Sequence, residues 1–111
     1  LPSLKKLHIY NSNTEIRESF KNIKKIKIID SYINIPDGLN NLKKLSLKYV
    51  HSIKLPKNLE KLNLLSLKYC KDIEIPDTYK KLKVIKKKKC NNLIIPYNKD
   101  IIEECNNLKI S

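Results

Sequence analysis

The sequence predicts a single repeat solenoid, built from coils of about 20 residues whose strands pair in parallel. Three observations lead to this fold class. Prolines recur every 20 residues, at Pro36, Pro56, Pro76 and Pro96. An L-x-x-L-x-L pattern recurs between them. The chain has 111 residues, of which 41% are hydrophobic, so it suits one globular domain and not a disordered basic tail.

The L-x-x-L-x-L pattern predicts the strands. Its three apolar columns are Leu4/Leu7/Ile9, Ile23/Ile26/Ile28, Leu42/Leu45/Leu47, Leu62/Leu65/Leu67 and Leu82/Ile85/Lys87. Fourteen of these 15 positions are apolar, against about six expected from the overall composition. Because L-x-L alternates with period two, each segment is predicted to be a strand with one face buried. One coil cannot bury that face alone, so neighbouring coils are expected to stack.

The return path of each coil follows the proline. The segment from Pro36 to Leu42 is too short for a proper helix, so it is predicted to be a 3₁₀ turn or extended chain. The predicted units are residues 1–16, 17–35, 36–55, 56–75 and 76–95, with a contracted terminal unit at 96–111.

The final unit departs from the pattern. The Cys-Asn-Asn-Leu segment that begins at Cys90 recurs at Cys105, after 15 residues instead of 20. This predicts irregular structure from Tyr97 to Glu104, with room for a terminal cap. Lys87 stands where an inward leucine is expected, so its ammonium should reach outward or distort the strand. The chain begins at Leu1, in the middle of the pattern, which indicates a fragment of a longer protein in which a signal peptide cannot be judged.

The segment Leu62-x-x-Leu65-x-Leu67-x-x-Cys70-x-x-Ile73-x-Ile75-Pro76 resembles a leucine-rich repeat. Its cysteine resembles that of the cysteine-containing and plant-type variants. Its short period is similar to bacterial effector repeats, and its I-P ending to repeats of protist surface proteins. The resemblance implies an α/β-type, helix-poor, right-handed and horseshoe-like solenoid. The parallel sheet would then lie on the concave side and short 3₁₀ or extended segments on the convex side. It also implies a protein-binding scaffold rather than a catalyst.

The positive charge is concentrated in the strand segments. The chain carries a net charge of +13. Eight residues per unit from the first leucine (4–11, 23–30, 42–49, 62–69 and 82–89) hold 14 lysines and a single acid, Asp30. The other 71 residues hold ten basic and ten acidic residues. Lys, Ile and Asn sum to 53 residues, a bias typical of AT-rich genomes, but codon usage alone would not separate acids from lysines.

The exposed strand positions form the candidate binding face. Lys48, Lys68 and Lys88 should stack on adjacent strands, where like charges about 5 Å apart repel by roughly 0.8 kcal/mol even in water. Tyr49 and Tyr69 beside them are residues enriched at interface hot spots. The candidate binding residues are Lys27, Lys48, Tyr49, Lys68, Tyr69, Lys86, Lys88 and Lys89.

Three functions are consistent with this face. The first is docking of an acidic protein surface. The second is binding of a polyanion, either nucleic acid or anionic lipid headgroups, although no nucleic-acid-binding motif is present. The third is a structural spacer or target-recognition part of a larger protein, in which the lysines form only a solvated face.

The sequence offers little for catalysis. Gly38 is the only glycine, which excludes glycine-rich phosphate loops. His8 and His51 lie two units apart without a third partner. No C-x₂-C pair is present, so Cys70, Cys90 and Cys105 are expected to be small structural residues, with thiols that meet backbone in the turn. We expect no enzyme activity, metal, cofactor or small-molecule substrate. Free thiols and the absence of an N-x-S/T sequon favour a cytoplasmic location.

Overall fold

The computed structural model describes residues 5–12, 16, 22–96 and 101–105, which form a parallel β-solenoid of about four turns. Its strands are β1 (Lys6–Tyr10), β2 (Lys25–Ile29), β3 (Lys44–Lys48), β4 (Leu64–Lys68), β5 (Lys71–Glu74), β6 (Val84–Lys88), β7 (Asn91–Ile94) and β8 (Ile102–Cys105). Six of them form one sheet in the order β1-β2-β3-β4-β6-β8, and β5 and β7 form a second sheet. These residues include no helix, and so none that could cross a bilayer. The predicted solenoid of parallel strands is confirmed.

Alternation within each strand turns one side of the six-stranded sheet inward. In β3, Leu45 and Leu47 are buried while Lys44, Ser46 and Lys48 reach solvent. The register stacks equivalent residues of successive coils, so that the inward positions form continuous apolar columns. The buried side chains among the described residues are all apolar or aromatic, and they form one cluster. Because burial is worth roughly 25 cal/mol per Å² of apolar surface, stacking of the coils provides the stability that a single coil lacks.

The return paths contain single turns, as predicted. The Leu42 N–H donates to the Leu39 carbonyl at 3.2 Å, and the Leu62 N–H donates to the Leu59 carbonyl at 3.3 Å. In the next coil, Tyr79 takes the position of these buried leucines and its hydroxyl donates to the Pro56 carbonyl. Burial raises the pKa of Tyr79 above its usual value, with a further contribution from the Asp37 charge. The phenol therefore stays protonated and satisfies its own buried oxygen.

The second sheet was not predicted from the sequence. β5 pairs in parallel with β7, with Ile73 opposite Leu93, and His51 forms an isolated bridge with Lys71. The sequence pattern predicted a conformation only for the return path after the proline, not for the I-x-I-P segment before it. Its alternation is itself a strand pattern, since Ile73 is buried and Glu74 is exposed. Stacked coils bring such segments close enough to pair.

The prediction of irregular structure up to Glu104 is wrong for its last residues, because β8 extends the six-stranded sheet. Val84 lies opposite Ile102, and Lys87 lies opposite Cys105. The recurrence of Cys-Asn-Asn-Leu had aligned Cys105 with Cys90, whereas the strand register aligns it three residues earlier. The open edge of β6 offers unpaired backbone groups, and the next stretch of chain satisfies them. Residues 97–100 lie outside the described residues.

Lys87 reaches outward without distorting its strand, which was one of the two predicted outcomes. Its Nζ lies 2.8 Å from Glu103 Oε1, and the two side chains are 25% and 46% exposed. The register places Lys87 opposite Leu67 and Glu103 opposite Ile85, so both residues continue columns that are apolar in the preceding coils. This ion pair therefore covers the end of the core formed by the described residues.

Candidate functional site

The exposed side of the six-stranded sheet carries a dense set of lysines. On the strands β1, β2, β3, β4 and β6, eight lysines alternate with the buried side chains: Lys6, Lys25, Lys27, Lys44, Lys48, Lys68, Lys86 and Lys88. No acid shares this side of these five strands, and the first to do so is Glu104 in β8. We call this side the lysine face. Of the 14 lysines in the strand segments, eight therefore lie together on one surface.

A groove crosses the middle of the lysine face, and we call it the lysine hollow. It is lined by His8, Lys25, Lys27, Lys44, Ser46, Leu64, Ser66, Lys68, Lys86 and Lys88, together with inward-column residues of the same strands. Four of the candidate residues lie here: Lys27, Lys68, Lys86 and Lys88. The hollow combines cations with two hydroxyls, so the chemistry it favours is the binding of negatively charged oxygen atoms.

The predicted lysine column is present. Lys48 lies opposite Lys68, and Lys68 lies opposite Lys88, on three adjacent strands. Two of these ammonium groups are drawn to tyrosine rings beyond the ends of the strands. Lys48 Nζ lies 5.6 Å from the centroid of the Tyr49 ring, and Lys88 Nζ lies 5.8 Å from that of Tyr69. Such cation–π contacts are worth about 0.5–1 kcal/mol at exposed sites, which offsets part of the repulsion within the column.

Tyr49 and Tyr69 form a stacked pair. Their ring centroids are 4.9 Å apart and the planes differ by 9°. The Tyr49 side chain is 49% exposed and that of Tyr69 is half-buried. The pair therefore presents ring edges and hydroxyls along the edge of the sheet, directly after the lysine column.

Both tyrosines occupy a strained backbone conformation. Their φ angles are 54° and 53°, in the left-handed region. The equivalent residues of the other coils are Asn11, Asp30 and Lys89, each with φ of 48°. The fold requires this conformation because each such residue follows a strand, and four of the five N–H groups donate to the next coil, as from Tyr49 to the Lys68 carbonyl at 3.0 Å. Asn and Asp tolerate it, whereas most other side chains pay about 1–2 kcal/mol.

The cysteines form a backbone-binding ladder, as expected. The Cys70 thiol donates to the Leu47 carbonyl at 3.4 Å, and the Cys90 thiol donates to the Leu67 carbonyl at 3.3 Å. The Cys70 N–H in turn donates to Cys90 Sγ at 3.4 Å. Burial raises the pKa of the Cys70 thiol to about 11, so it remains a neutral donor rather than a reactive thiolate. Both thiols are free.

A serine supplies the same contact in an earlier coil. The Ser31 hydroxyl donates to the Ile29 carbonyl at 2.8 Å and accepts the Ser12 N–H at 3.0 Å. Val50 occupies this position in the coil between and lacks such a group. The Cys105 side chain lies outside what the structure describes. The position therefore requires a small residue, and a hydroxyl or thiol adds hydrogen bonds.

The two histidines lie on different sheets. His8 is exposed on β1, and His51 bridges to β5 of the second sheet. Within the described residues, no group of three or more His, Cys, Asp or Glu side chains could hold a metal ion.

Sequence reasoning missed the first exposed position of each strand. The alternation had been followed from the first leucine of L-x-L onward, although it extends one residue earlier. This column consists of Lys6, Lys25, Lys44, Leu64, Val84 and Ile102. It changes from lysine to aliphatic residues at β4, and Ile102 is 61% exposed. An apolar strip therefore borders the lysine hollow.

The site is a lysine hollow whose lining includes the Ser46 and Ser66 hydroxyls. An apolar strip borders it on one side, and a stacked tyrosine pair lies near the strand ends. Such a surface can attract and hold a negatively charged ligand that also has apolar groups. No protein-family model matches the chain, and neither a curated protein nor a solved structure is significantly similar to it.

Proposed function

We propose that this chain is a protein-interaction module of the leucine-rich repeat class, and that its lysine face docks an acidic protein surface. The repeat of about 20 residues, the L-x-x-L-x-L pattern and the parallel solenoid support membership of that class. In such a solenoid the coils turn in a right-handed sense, and the lysine face lies on the concave side of a curved sheet.

The observation that carries the proposal is the backbone conformation of Tyr49 and Tyr69. Left-handed residues other than Gly, Asn and Asp are costly, and such strain concentrates at functional sites. In the same column, Asn11 and Asp30 are favourable residue types, and Lys89 joins the two tyrosines as a costly one. Two stacked tyrosines at this position, beside eight lysines, are therefore better explained by contact with a partner than by folding.

In the proposed mechanism, the lysines promote association, and the tyrosines with the apolar strip slow dissociation. The lysines create a positive potential over a surface where no acid lies before β8, which accelerates encounter with an acidic partner. The tyrosines and the apolar strip of Leu64, Val84 and Ile102 supply rigid contact area, which slows dissociation. An acidic partner also relieves the repulsion among the stacked lysines.

The tyrosine geometry favours a protein over single-stranded nucleic acid. Proteins that hold single strands leave aromatic ring faces open for bases to stack on. Here the facing surfaces of Tyr49 and Tyr69 are occupied by each other, and a lysine ammonium lies near each ring. The edges and hydroxyls that remain suit hydrogen bonds and packing with a protein surface.

The proposal is tested by affinity capture from untreated and nuclease-treated lysates of the native organism, quantified by mass spectrometry. The parent chain is compared with a Lys48→Glu/Lys68→Glu/Lys88→Glu variant. A matched control, Lys54→Glu/Lys57→Glu/Lys71→Glu, makes the same charge change at exposed lysines outside the lysine face. We expect a protein that the parent and the control capture and the first variant loses.

Two other results would each point to a different function. Capture that disappears on nuclease treatment alone would favour the polyanion binder. Identical profiles for the parent and both variants would leave a structural spacer.

A further inference from the structure

We propose that Ser46 and Ser66, at the floor of the lysine hollow, bind the phosphate group of a phosphorylated side chain in the acidic partner. This inference rests on the proposed function and names the chemistry that the same surface recognises.

The two serine hydroxyls are available as donors. Ser46 lies opposite Ser66 on adjacent strands, so their Cα atoms are about 4.8 Å apart. Both side chains are half-buried, and within the described residues neither hydroxyl makes a hydrogen bond. By contrast, the Ser31 and Thr78 hydroxyls donate to backbone carbonyls of the fold. Ser46 and Ser66 thus do not serve the solenoid in this way, and both face the hollow.

A symmetric row of cations and hydroxyls crosses four adjacent strands. Lys27 lies opposite Ser46, Ser46 opposite Ser66, and Ser66 opposite Lys86. The two lysines of the row are thus separated by three strand spacings, about 14 Å between Cα atoms. Long lysine side chains can close much of this distance over a single anion that sits on the two hydroxyls. Lys68 lines the same hollow, two residues after Ser66.

A phosphate monoester matches this row better than a carboxylate does. It carries a charge of about −1.5 to −2 at neutral pH and three terminal acceptor oxygens. Two hydroxyls and flanking ammonium groups supply donors for all three oxygens. A carboxylate offers one charge and two oxygens, so it would leave more of the local positive charge unpaired.

The border of the hollow favours a phosphorylated peptide over a nucleic acid or a lipid surface. Leu64 precedes Ser66 by two residues on the same strand and lines the same hollow. Val84 and Ile102 continue an apolar strip from it across the next strands. Alternate residues of an extended chain are about 7 Å apart, which is the distance between these two positions. The expected partner segment therefore has an aliphatic side chain two residues from its phosphorylated residue.

Fluorescence anisotropy with synthetic peptides at 150 mM salt tests the inference. One peptide contains Leu-Gly-phosphoserine within an acidic sequence. A second replaces phosphoserine by Glu and adds one further Glu, so that the charge matches. We expect the phosphopeptide to bind about tenfold more tightly, because one phosphate has a third terminal oxygen and a denser charge, and so it can accept from both hydroxyls and an ammonium group at once.

Three variants localise the effect. Ser46→Ala/Ser66→Ala keeps every lysine, and it should weaken binding of the phosphopeptide more than binding of the Glu peptide, so that the tenfold preference falls below about twofold. Ser46→Thr/Ser66→Thr keeps the hydroxyls and should retain the preference. Ser52→Gly removes a hydroxyl elsewhere, at a left-handed residue that glycine accepts, and should change nothing. Circular dichroism confirms that each variant is folded.

The outcomes separate the two proposals. Equal binding of the two peptides, or a preference that survives Ser46→Ala/Ser66→Ala, overturns the phosphate site but leaves the docking function intact. Failure of both peptides to bind, together with identical capture profiles in the lysate experiment, overturns both. An oligonucleotide or a vesicle with phosphoinositide headgroups that binds more tightly than the phosphopeptide also overturns the inference.

Discussion

The two sheets of this solenoid carry opposite kinds of surface although they belong to the same coils. On its strands β1, β2, β3, β4 and β6, the lysine face of the six-stranded sheet holds eight lysines and no acid. The exposed positions of the two-stranded sheet are mixed, with Lys71, Asp72 and Glu74 on β5 alone. There, the Asn92 amide donates to the Asp72 carboxylate at 2.6 Å. Because codon usage acts equally on both sheets, the lysine face reflects position and not composition.

The two sheets also differ in the residue types that adopt the left-handed conformation. The second sheet has its own set, at Ser52, Asp72 and Asn92, with φ between 54° and 58°. These are small polar residues, and Asn and Asp are the types that accept this conformation most readily. Beside the lysine face the equivalent conformation is shared by Asn11, Asp30, Tyr49, Tyr69 and Lys89, and the last three are types that adopt it at a cost. Under the proposed function, the tyrosines beside the lysine face are retained for a partner at a cost to folding, whereas the left-handed residues of the second sheet serve folding alone.

The largest expected effect is on association rate. Lys27→Glu/Lys68→Glu/Lys86→Glu should lower the association rate constant for the captured partner about 100-fold, because steering depends on the potential over the lysine hollow. Lys54→Glu/Lys57→Glu/Lys71→Glu should change it less than about threefold, since these lysines lie elsewhere. Surface plasmon resonance at two salt concentrations measures both. Equal losses would show that net charge, and not the face, determines binding.

The next effect tests the cost of tyrosines in the left-handed conformation. Asp72→Tyr and Asn92→Tyr place tyrosine at left-handed residues of the second sheet, where no partner contact is proposed. We expect each to lower the free energy of unfolding, measured by urea denaturation, by about 1–2 kcal/mol relative to Asp72→Gly or Asn92→Gly. The glycine variants also lose the Asn92–Asp72 hydrogen bond but accept the left-handed conformation. Unchanged stability would remove the argument that Tyr49 and Tyr69 are retained at a cost.

The junction between the sheets should show a pH dependence. Burial raises the Cys70 pKa from 9.0 to about 11, so between these values the unfolded chain loses its thiol proton while the folded chain keeps it. Stability from this group is complete below pH 9 and lost as the pH rises towards 11, by about 1–2 kcal/mol. Cys70→Val, which repeats the residue found at Val50, should reduce the slope of the curve between pH 9 and 11, while the raised pKa of Tyr79 still contributes above pH 10. Parallel curves for the two proteins would contradict the assignment.

The smallest effect concerns the end of the six-stranded sheet. Lys87→Met removes the ion pair with Glu103, whose side chains remain partly exposed. We expect a loss of no more than about 1 kcal/mol, since exposed pairs contribute little. A loss above about 3 kcal/mol in thermal denaturation would instead indicate a buried charge pair that the rest of the end depends on.

The sequence was sufficient for features that depend on periodicity. The L-x-L columns predicted the strands, their parallel pairing and the Lys48–Lys68–Lys88 column. It was insufficient where contacts between coils decide the structure. The pairing of β5 with β7 depends on how closely coils stack, and the pairing of β8 depends on an open strand edge. A repeated Cys-Asn-Asn-Leu motif was a weaker guide to Cys105 than hydrogen bonding was.

The sequence predicted the exposed lysines of the candidate site but not the geometry of its tyrosine pair. Alternation predicted which lysines are exposed, and it could have included Lys25, Lys44 and Leu64 if it had been followed one residue further. The positive φ of Tyr49 and Tyr69 and the ring stack between them follow from hydrogen bonds to the next coil, which no pattern within one coil reveals.

The central claim is that the lysine face, with its tyrosine pair, is a binding surface, and that its two left-handed tyrosines lower the free energy of unfolding. The most direct test measures stability and partner capture together for Tyr49→Asn/Tyr69→Asn, which restores the residue type found at Asn11. We expect a free energy of unfolding equal to or above that of the parent, because relief of strain offsets the lost ring contacts, and at least tenfold weaker capture. Undiminished capture by a variant of equal or greater stability would contradict the account.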